Sequence, residues 1–331
     1  MSVSLITGIG GFVASHMADL LLSKGETVIG TYRWNEDLSR IEHIKDKITM
    51  VPMDLLDYSS IYKVLKYHVD SIYHLAAQSY VPDSFYYPAL TIEINTVGTV
   101  NLLEVVRNIR DEISNWPRIF DPVIHICSSS EVYGQVNPDE VPIKETQPFR
   151  PQNPYAIGKV GADMAAYTYF RNYGLKTIRT RMFTHTGPRR TMASAESSFA
   201  MQIARIEANL QEPVVKHGNL ESIRTIADVR DACRAYYELV NKCGPGEVYN
   251  IGGDKTLSIG EILDYLISLS SVKIRKELDP ALLRPSDVTL QIPDCTKFKA
   301  ATDWKPEIPF EKTMLDLLDW WRSAINQQNT L

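Results

Sequence analysis

Tyr155 and Lys159 are the residues with the clearest capacity for chemistry, standing four apart behind Asn153-Pro154. That spacing on a helix puts both side chains on one face, so the ammonium would lie close to the phenol. Asn is a good N-cap and Pro suits the first helical position, which predicts a helix starting at Tyr155 with Lys159 one turn in. A free phenol has a pKa of about 10 and is a poor base at neutral pH. A neighbouring cation favours the phenolate and brings the group into range for proton transfer. Such pairs also arise by chance on solvated helix faces, so this one gains meaning from its company. The first companion is the run Ser128-Ser129-Ser130-Glu131, which supplies three hydroxyls and one carboxylate upstream of the pair.

The second companion is the N-terminus. Val3-Ser4-Leu5-Ile6-Thr7 reads as a short buried strand, followed at once by Gly8-Ile9-Gly10-Gly11-Phe12-Val13-Ala14 and a helical pattern over about 15–23. Strand, glycine turn and helix in that order predict a dinucleotide-binding fingerprint. Gly8 permits the tight turn, Gly11 lets backbone N–H groups approach a pyrophosphate, and Ala14 keeps the helix close to the strand. Gly10, Phe12 and Val13 complete the predicted cofactor turn.

The next strand, 27–32, is expected to end beside an adenosine ribose. An acidic residue there would accept from the 2′-hydroxyl of NAD, but the chain has Tyr32-Arg33. Arg33 can pair bidentately with a 2′-phosphate, which favours NADP over NAD, or it can point into water. Asp54 and Leu55 follow a third apolar run, with Asp54 placed to accept from an adenine amine. A fourth strand is expected over 72–77. Its terminal Leu75-Ala76-Ala77 would let a ribose and phosphates lie against the backbone, with His74 packed in the strand.

These elements sit in a chain of ordinary globular composition. It has 331 residues, 44% of them hydrophobic, and a net charge of −5. No basic block argues for nucleic acid, and the charge is not polarised enough for a membrane partner. The N-terminus enters a strand at once, with no signal peptide, and no apolar stretch approaches the roughly 20 residues that span a bilayer. The four cysteines are scattered without metal-like spacing, as suits a reducing cytoplasm, and Cys127 is expected in a buried strand.

Strands and helices alternate to about residue 181, with a long helix over 95–110 and strands over 122–127 and 175–181. That pattern predicts a Rossmann-type α/β fold with a doubly wound parallel sheet. After Phe183 the loops lengthen, while 247–253 reads as a late strand returning to the first sheet. The expected division is a cofactor-binding domain over 1–183 plus a returning segment near 225–255. An interleaved, smaller substrate-binding domain would take 184–224 and 256–331. The last helix, over 311–322, presents Met314, Leu317, Leu318 and Trp321 on one side, as a core helix would.

Taken together, the motifs resemble the extended short-chain dehydrogenase/reductase superfamily and, within it, the GDP-mannose 4,6-dehydratase family. The resemblance runs over nearly the whole chain, from the glycine turn through Leu75-Ala76-Ala77-Gln78-Ser79, Ser129-Ser130-Glu131-Val132-Tyr133-Gly134 and Tyr155-x-x-x-Lys159. It continues in His185-Thr186-Gly187-Pro188-Arg189-Arg190, Gly218 to Arg224, Arg284-Pro285-Ser286-Asp287-Val288 and Trp304-Lys305-Pro306. The early motifs define the superfamily, and the later ones point to GDP-linked sugars.

The resemblance implies roles. Tyr155 would take the proton from a sugar O4 as C4 is oxidised by NADP, Lys159 would hold the phenolate and bind the nicotinamide ribose, and Ser129 would hydrogen-bond O4. The new ketone acidifies the C5 proton, and Glu131, the only acid in its run, would be the base that removes it before water leaves from C6. Ser79, Ser130 and Thr184 are implied substrate contacts. Arg224 and Arg284 are the candidates for the sugar's pyrophosphate and Asp287 for a ribose, although each also suits a surface ion pair. Arg189-Arg190 would lie near the cofactor of a neighbouring subunit, and Asn95 would support the catalytic residues. The implied partners are a GDP-linked hexose or heptose and further copies of the chain, as a homodimer or homotetramer through the helices at 95–110 and 155–173.

Two departures separate the chain from the dehydratases it resembles. Thr184 stands where they carry Asn, and Gly11-Phe12-Val13, in the place of their Gln-Asp pair, is typical of related reductases and epimerases. An NADPH-dependent GDP-4-keto-6-deoxymannose reductase, whose relatives share the Ser-Ser-Glu run so that Glu131 alone does not exclude it, and a nucleotide-sugar 4-epimerase are therefore the alternative activities. A non-catalytic NADP-binding protein is a third reading, opposed by the joint presence of Ser129, Glu131, Tyr155 and Lys159.

Overall fold

Short apolar runs alternating with amphipathic helices assemble here into one twisted parallel sheet. The computed structural model describes residues 2–112, 120–283 and 288–328. In chain order the first strands are β1 (Val3–Thr7), β2 (Thr27–Tyr32), β3 (Thr49–Pro52), β4 (Ser71–His74), β5 (Val123–Ser129) and β6 (Thr177–Met182). Across the sheet the order is Val248–Ile251, β6, β5, β4, β1, β2, β3. Every neighbouring pair is parallel, with Leu5 opposite Ile29 and Ile72, and Tyr249 opposite Thr180. The doubly wound sheet and the returning late strand are thus as expected from the sequence.

Strands buried on both faces send successive side chains to opposite layers. Leu5, Ile72 and Ile124 enter one core with the Gly98–Glu112 helix, whereas Ile6, Tyr73 and Ile178 enter the other with the Phe12–Ser23 and Val229–Lys242 helices. Strand order reverses at β1, between β2 and β4, and the carboxyl ends of β1, β4 and β5 open at that reversal. Ligands of such sheets bind in that crevice.

Several boundaries differ from the sequence expectation. β5 runs through Ser128 and Ser129 instead of stopping at Cys127, which is half-buried. The first helix begins at Phe12, because Gly11 already has the extended conformation of an N-cap. The helix expected over 95–110 is part of a longer run, Pro88–Glu112, which is long and apolar enough to cross a bilayer, contrary to the sequence reading. Its Leu102, Leu103, Val105, Val106 and Ile109 are buried in the core. The run contains a π-helical turn over Glu93–Val97, an irregularity often found beside functional sites. The last helix extends over Phe310–Gln328, with Met314, Leu317 and Leu318 buried.

Beyond β6 a second, smaller sheet forms. Ile223–Asp228 lies at its centre, antiparallel to Lys255–Ser258 and parallel to Leu290–Gln291 and His185–Thr186. A separate parallel pair joins Val214–His217 to Arg275–Leu278. The Pro154–Tyr173 helix packs closely on the Pro88–Glu112 run. A Cβ on Gly158 would come within 2.9 Å of the Asn95 Cβ, so backbone approach there requires glycine.

The same helix carries a buried charge cluster. Asp163, fully buried, accepts from Arg179 Nη1 at 3.0 Å and Arg181 Nε at 2.9 Å, both from β6. Arg181 also donates to the Tyr133 hydroxyl at 3.0 Å. Removing the carboxylate leaves two guanidinium groups in a dry interior, which costs far more than an exposed pair is worth. Asp163→Ala is expected to destabilise the fold by about 3–5 kcal/mol, seen as a lower urea midpoint with an unchanged slope.

Candidate active site

The carboxyl ends of β1, β4 and β5 lie at the reversal point. The turn after β1 places Gly8 at φ +72°, and a Cβ there would meet the Ala76 Cα at 2.9 Å. Only glycine accommodates both the left-handed conformation and the contact. Gly11 donates its N–H to the Gly8 carbonyl at 2.9 Å and caps the Phe12–Ser23 helix without a side-chain bond. The first helical N–H groups are therefore left for a ligand, as a pyrophosphate site requires. Gly10 packs against the 36–38 loop, and Arg40 donates to its carbonyl at 3.2 Å. Arg33 lies exposed at the end of β2, clear of ion pairs among the described residues.

On the β4 side, Leu75 and Ala76 both donate backbone N–H groups to Thr7 Oγ1, at 3.1 and 3.0 Å. Accepting twice, that hydroxyl directs its own proton to His74 Nδ1 at 2.9 Å. Nε2 then carries the imidazole proton and faces Thr99 Oγ1 at 3.0 Å, and Thr99 donates to the Asn95 carbonyl at 2.7 Å. The Asn95 side chain in turn holds both backbone groups of Gln78, at 2.8 and 3.0 Å. His74 is thus a packed strand residue, as expected, and Asn95 fixes the loop carrying Ala76 and Ala77. Ser79 lies exposed beyond it. Asp54 is exposed with Oδ1 accepting from Leu56 N at 2.8 Å, and the Leu55 carbonyl accepts from Asn101 at 2.9 Å.

The catalytic candidates come from β5 and the Pro154–Tyr173 helix. Asn153 caps that helix, as expected, its Oδ1 accepting from Ala156 N at 2.8 Å. Ser129 ends β5 and faces the Tyr155 phenol, and its Oγ also accepts from Glu131 N at 3.2 Å. Burial pushes the Tyr155 phenol well above its ordinary pKa, while Ser129 and Arg190 act in the opposite sense. The Lys159 ammonium does not reach the phenol oxygen. It lies 5.9 Å from the ring centroid and donates to the Cys127 carbonyl at 2.8 Å, with burial lowering its pKa.

The Glu131 carboxylate is held at both oxygens. Oε2 accepts from Asn153 Nδ2 and Oε1 from Gln291 Nε2, each at 3.1 Å. The Ser130 hydroxyl is turned away, donating to Gln291 Oε1 at 3.1 Å. Thr184 is half-buried, its carbonyl accepting from Ala227 N at 2.9 Å. Arg224 lies on the smaller sheet and donates to the Ile223 and Val288 carbonyls. Arg284 and Asp287 lie outside the described residues.

Sequence reasoning did not place Gln291 or Asn153 beside Glu131, nor Arg190 and His185 against the cofactor turn. The His185 ring stacks on Phe12 at 6.1 Å and 10°. The Arg190 guanidinium lies 4.9 Å from the Phe12 ring centroid, where burial lowers its pKa. Arg189 bonds within its own chain, to Asp19 Oδ2 and His16 Nδ1, both at 2.6 Å. The adjacency of Arg189-Arg190 to the Gly-Pro turn was visible in the sequence, but its direction was not.

A doubly wound sheet with this glycine turn and this Ser/Tyr/Lys set defines a short-chain dehydrogenase/reductase-type protein. Residues 5–317 match the GDP-mannose 4,6 dehydratase family, and the chain belongs to that family. It is 29% identical to the GDP-6-deoxy-D-mannose reductase of Pseudomonas aeruginosa over 325 residues, covering 98% of both chains. It is 30% identical to GDP-mannose 4,6 dehydratase 2 of Arabidopsis thaliana over 332 residues, covering 96% of this chain and 86% of that one. Among solved structures, RMD from Pseudomonas aeruginosa complexed with NADPH is 28% identical with a TM-score of 0.82, over 98% of this chain and 100% of that one.

Four enclosed imidazoles around the sheet have a consequence for stability. Burial lowers His74 and His125 to about 3 and His16 and His185 to about 4, from 6.5. Native groups with depressed imidazole pKa values stay neutral while the unfolded chain takes up protons below 6.5, so their contribution is present above that pH and is lost on acidification. Each should remove up to about 1.4 kcal/mol of stability per pH unit between about 6.5 and its folded value. Urea unfolding at about pH 7 and about pH 5 should show the loss, and His74→Gln should have a shallower pH slope than the parent chain.

Proposed function

We propose that the chain is a GDP-mannose 4,6-dehydratase-type lyase, which converts a GDP-linked hexose to its 4-keto-6-deoxy form with loss of water. The observation that carries this reading is the Glu131 carboxylate, held by two neutral amides one turn from Ser129 and the Tyr155 phenol. Tyr155 takes the proton from O4, and Ser129 hydrogen-bonds the same oxygen. NADP, when bound, supplies a hydride acceptor for C4 and a hydride donor for C6. Glu131 removes the C5 proton, acidified by the ketone, as the C6–O bond breaks and C5=C6 forms. The leaving hydroxyl takes a proton and departs as water. A hydride at C6 and a proton at C5 complete the 6-deoxy sugar, so hydrogen and electrons balance without an external reductant.

The glycine turn, the uncapped helix N-terminus, Ala76 and Ala77 fit the dinucleotide, with Lys159 beneath the nicotinamide ribose. Arg33 is exposed and unpaired among the described residues at the end of β2, where a 2′-phosphate would lie, which supports NADP. Arg190, packed on Phe12 and acting on Tyr155, places a cation between the cofactor turn and the phenol. Val97, Ile157, Met164 and Tyr167 expose apolar side chains on the two packed long helices. Exposed apolar side chains on both helices support assembly into a homodimer or homotetramer through them. A 4-keto-6-deoxy sugar reductase is the second reading, favoured by the Pseudomonas aeruginosa relative that aligns over 98% of both chains.

Mass spectrometry of GDP-mannose incubated with the protein and catalytic NADP, without added reductant, decides between them. A product lighter by one water is expected. An unchanged sugar, together with NADPH consumption on the 4-keto-6-deoxy nucleotide sugar, would establish the reductase instead. Glu131→Gln should keep sugar and cofactor affinity in calorimetry but lower turnover by about a hundredfold or more. Arg33→Ser should weaken NADP binding by about tenfold and leave NAD binding unchanged.

A further inference from the structure

We propose that Gln291 is a positioning residue for Glu131, fixing the plane of its carboxylate for proton removal; the role rests on Glu131 being the C5 base. Gln291 stands 160 positions from Glu131 in the sequence, on the Leu290–Gln291 strand, and its side chain is buried. A carboxylate only accepts, so the amide nitrogen must face Glu131, where it donates to Oε1 at 3.1 Å. The amide oxygen is then left for the Ser130 hydroxyl, also at 3.1 Å. Ser130 therefore fixes which way the Gln291 amide points, and Asn153 pins the second carboxylate oxygen.

Two donors, one on each oxygen, set both the position and the rotation of the carboxylate. Neither donor carries charge, and Glu131 has no cation partner among the described residues. A guanidinium in the same place would stabilise the anion strongly and weaken it as a base, whereas an amide orients it with less loss of basicity. Gln291 also pairs in register with Arg224, as Leu290 does with Ile223. The strand that aims the base is thus bonded directly to the strand carrying the proposed pyrophosphate residue. Substrate seating and base orientation share one small sheet.

Gln291→Met removes both bonds at similar volume and tests the role. With NADP present, mixing GDP-mannose with this variant should give the parent's rate of reduced-nicotinamide absorbance. Reduced nicotinamide should then accumulate, because elimination is slowed about 10- to 100-fold. Ser130→Ala, which frees only the amide flip, should show a smaller defect in the same step. Equal turnover in Gln291→Met and the parent would overturn the proposal. So would equal slowing of oxidation and elimination with a lowered Tm, which is the mark of a merely structural residue. If the parent itself releases no product lighter by one water from GDP-mannose, the proposed reaction is at fault. The crystal structure of Gln291→Met then judges the clamp: a Glu131 carboxylate rotated away from Asn153 sustains it, and one left in place overturns it.

Discussion

The site hangs on the two ends of one carboxamide. Asn153 Oδ1 accepts from Ala156 N, starting the helix that carries Tyr155 and Lys159, and its Nδ2 donates to Glu131 on the turn after β5. The phenol and the carboxylate are therefore set by a shared, rigid side chain, although they arise on different elements. Tertiary packing secures the rest of the geometry. The close approach at Gly158 presses the catalytic helix onto the π-helical turn, and Asn95 in that turn fixes the loop that Gly8 touches through Ala76. A displacement at any of these contacts would reach the others through stiff elements.

Electrostatics within the site oppose ionisation more than the bare Tyr-x-x-x-Lys spacing suggests. Burial is the largest influence on Tyr155, Lys159 and Arg190 alike, and it disfavours the charged form of each. What favours the phenolate here is the Ser129 hydroxyl together with Arg190, while Lys159 is tied to the Cys127 carbonyl. Burial thus holds the Tyr155 phenol toward its protonated form. A lysine 5.9 Å from the ring centroid and bonded to the Cys127 carbonyl acts on the phenol only at a distance.

Local chemistry made much of this readable in advance. Asn153-Pro154 announced the helix start, the Gly8 to Ala14 run announced the glycine turn into a helix, and strand-helix alternation announced the parallel sheet, because each depends on neighbours within a few residues. Gln291 was unreadable for the opposite reason: it meets Glu131 only because two sheets pack together, and a lone Gln in a short strand has no periodic signature. Arg190 was visible as a charge but not as a half-buried one, since its stacking on Phe12 depends on the path of the chain after β6. The π-helical turn was also hidden, because no residue type or short motif marks one. Arg284 and Asp287, proposed for the GDP-sugar, belong to a segment outside the described residues, so for them the sequence remains the sole guide.

The choice between elimination and simple reduction comes down to what the Glu131 carboxylate is for. Reduction of a 4-ketone needs one proton donor near O4, and Tyr155 with Ser129 supplies it. A half-buried carboxylate beside that pair disfavours the phenolate, which is compatible with a proton donor, so the phenol's charge does not decide between the two reactions. Elimination needs such a group, because a proton must leave C5 while the neighbouring ketone is present. The Gly11-Phe12-Val13 turn points the other way only by its likeness to reductases. Its structural task here, a phenyl ring packed between His185 and Arg190, concerns the cofactor side of the crevice and is indifferent to which bond of the sugar is broken.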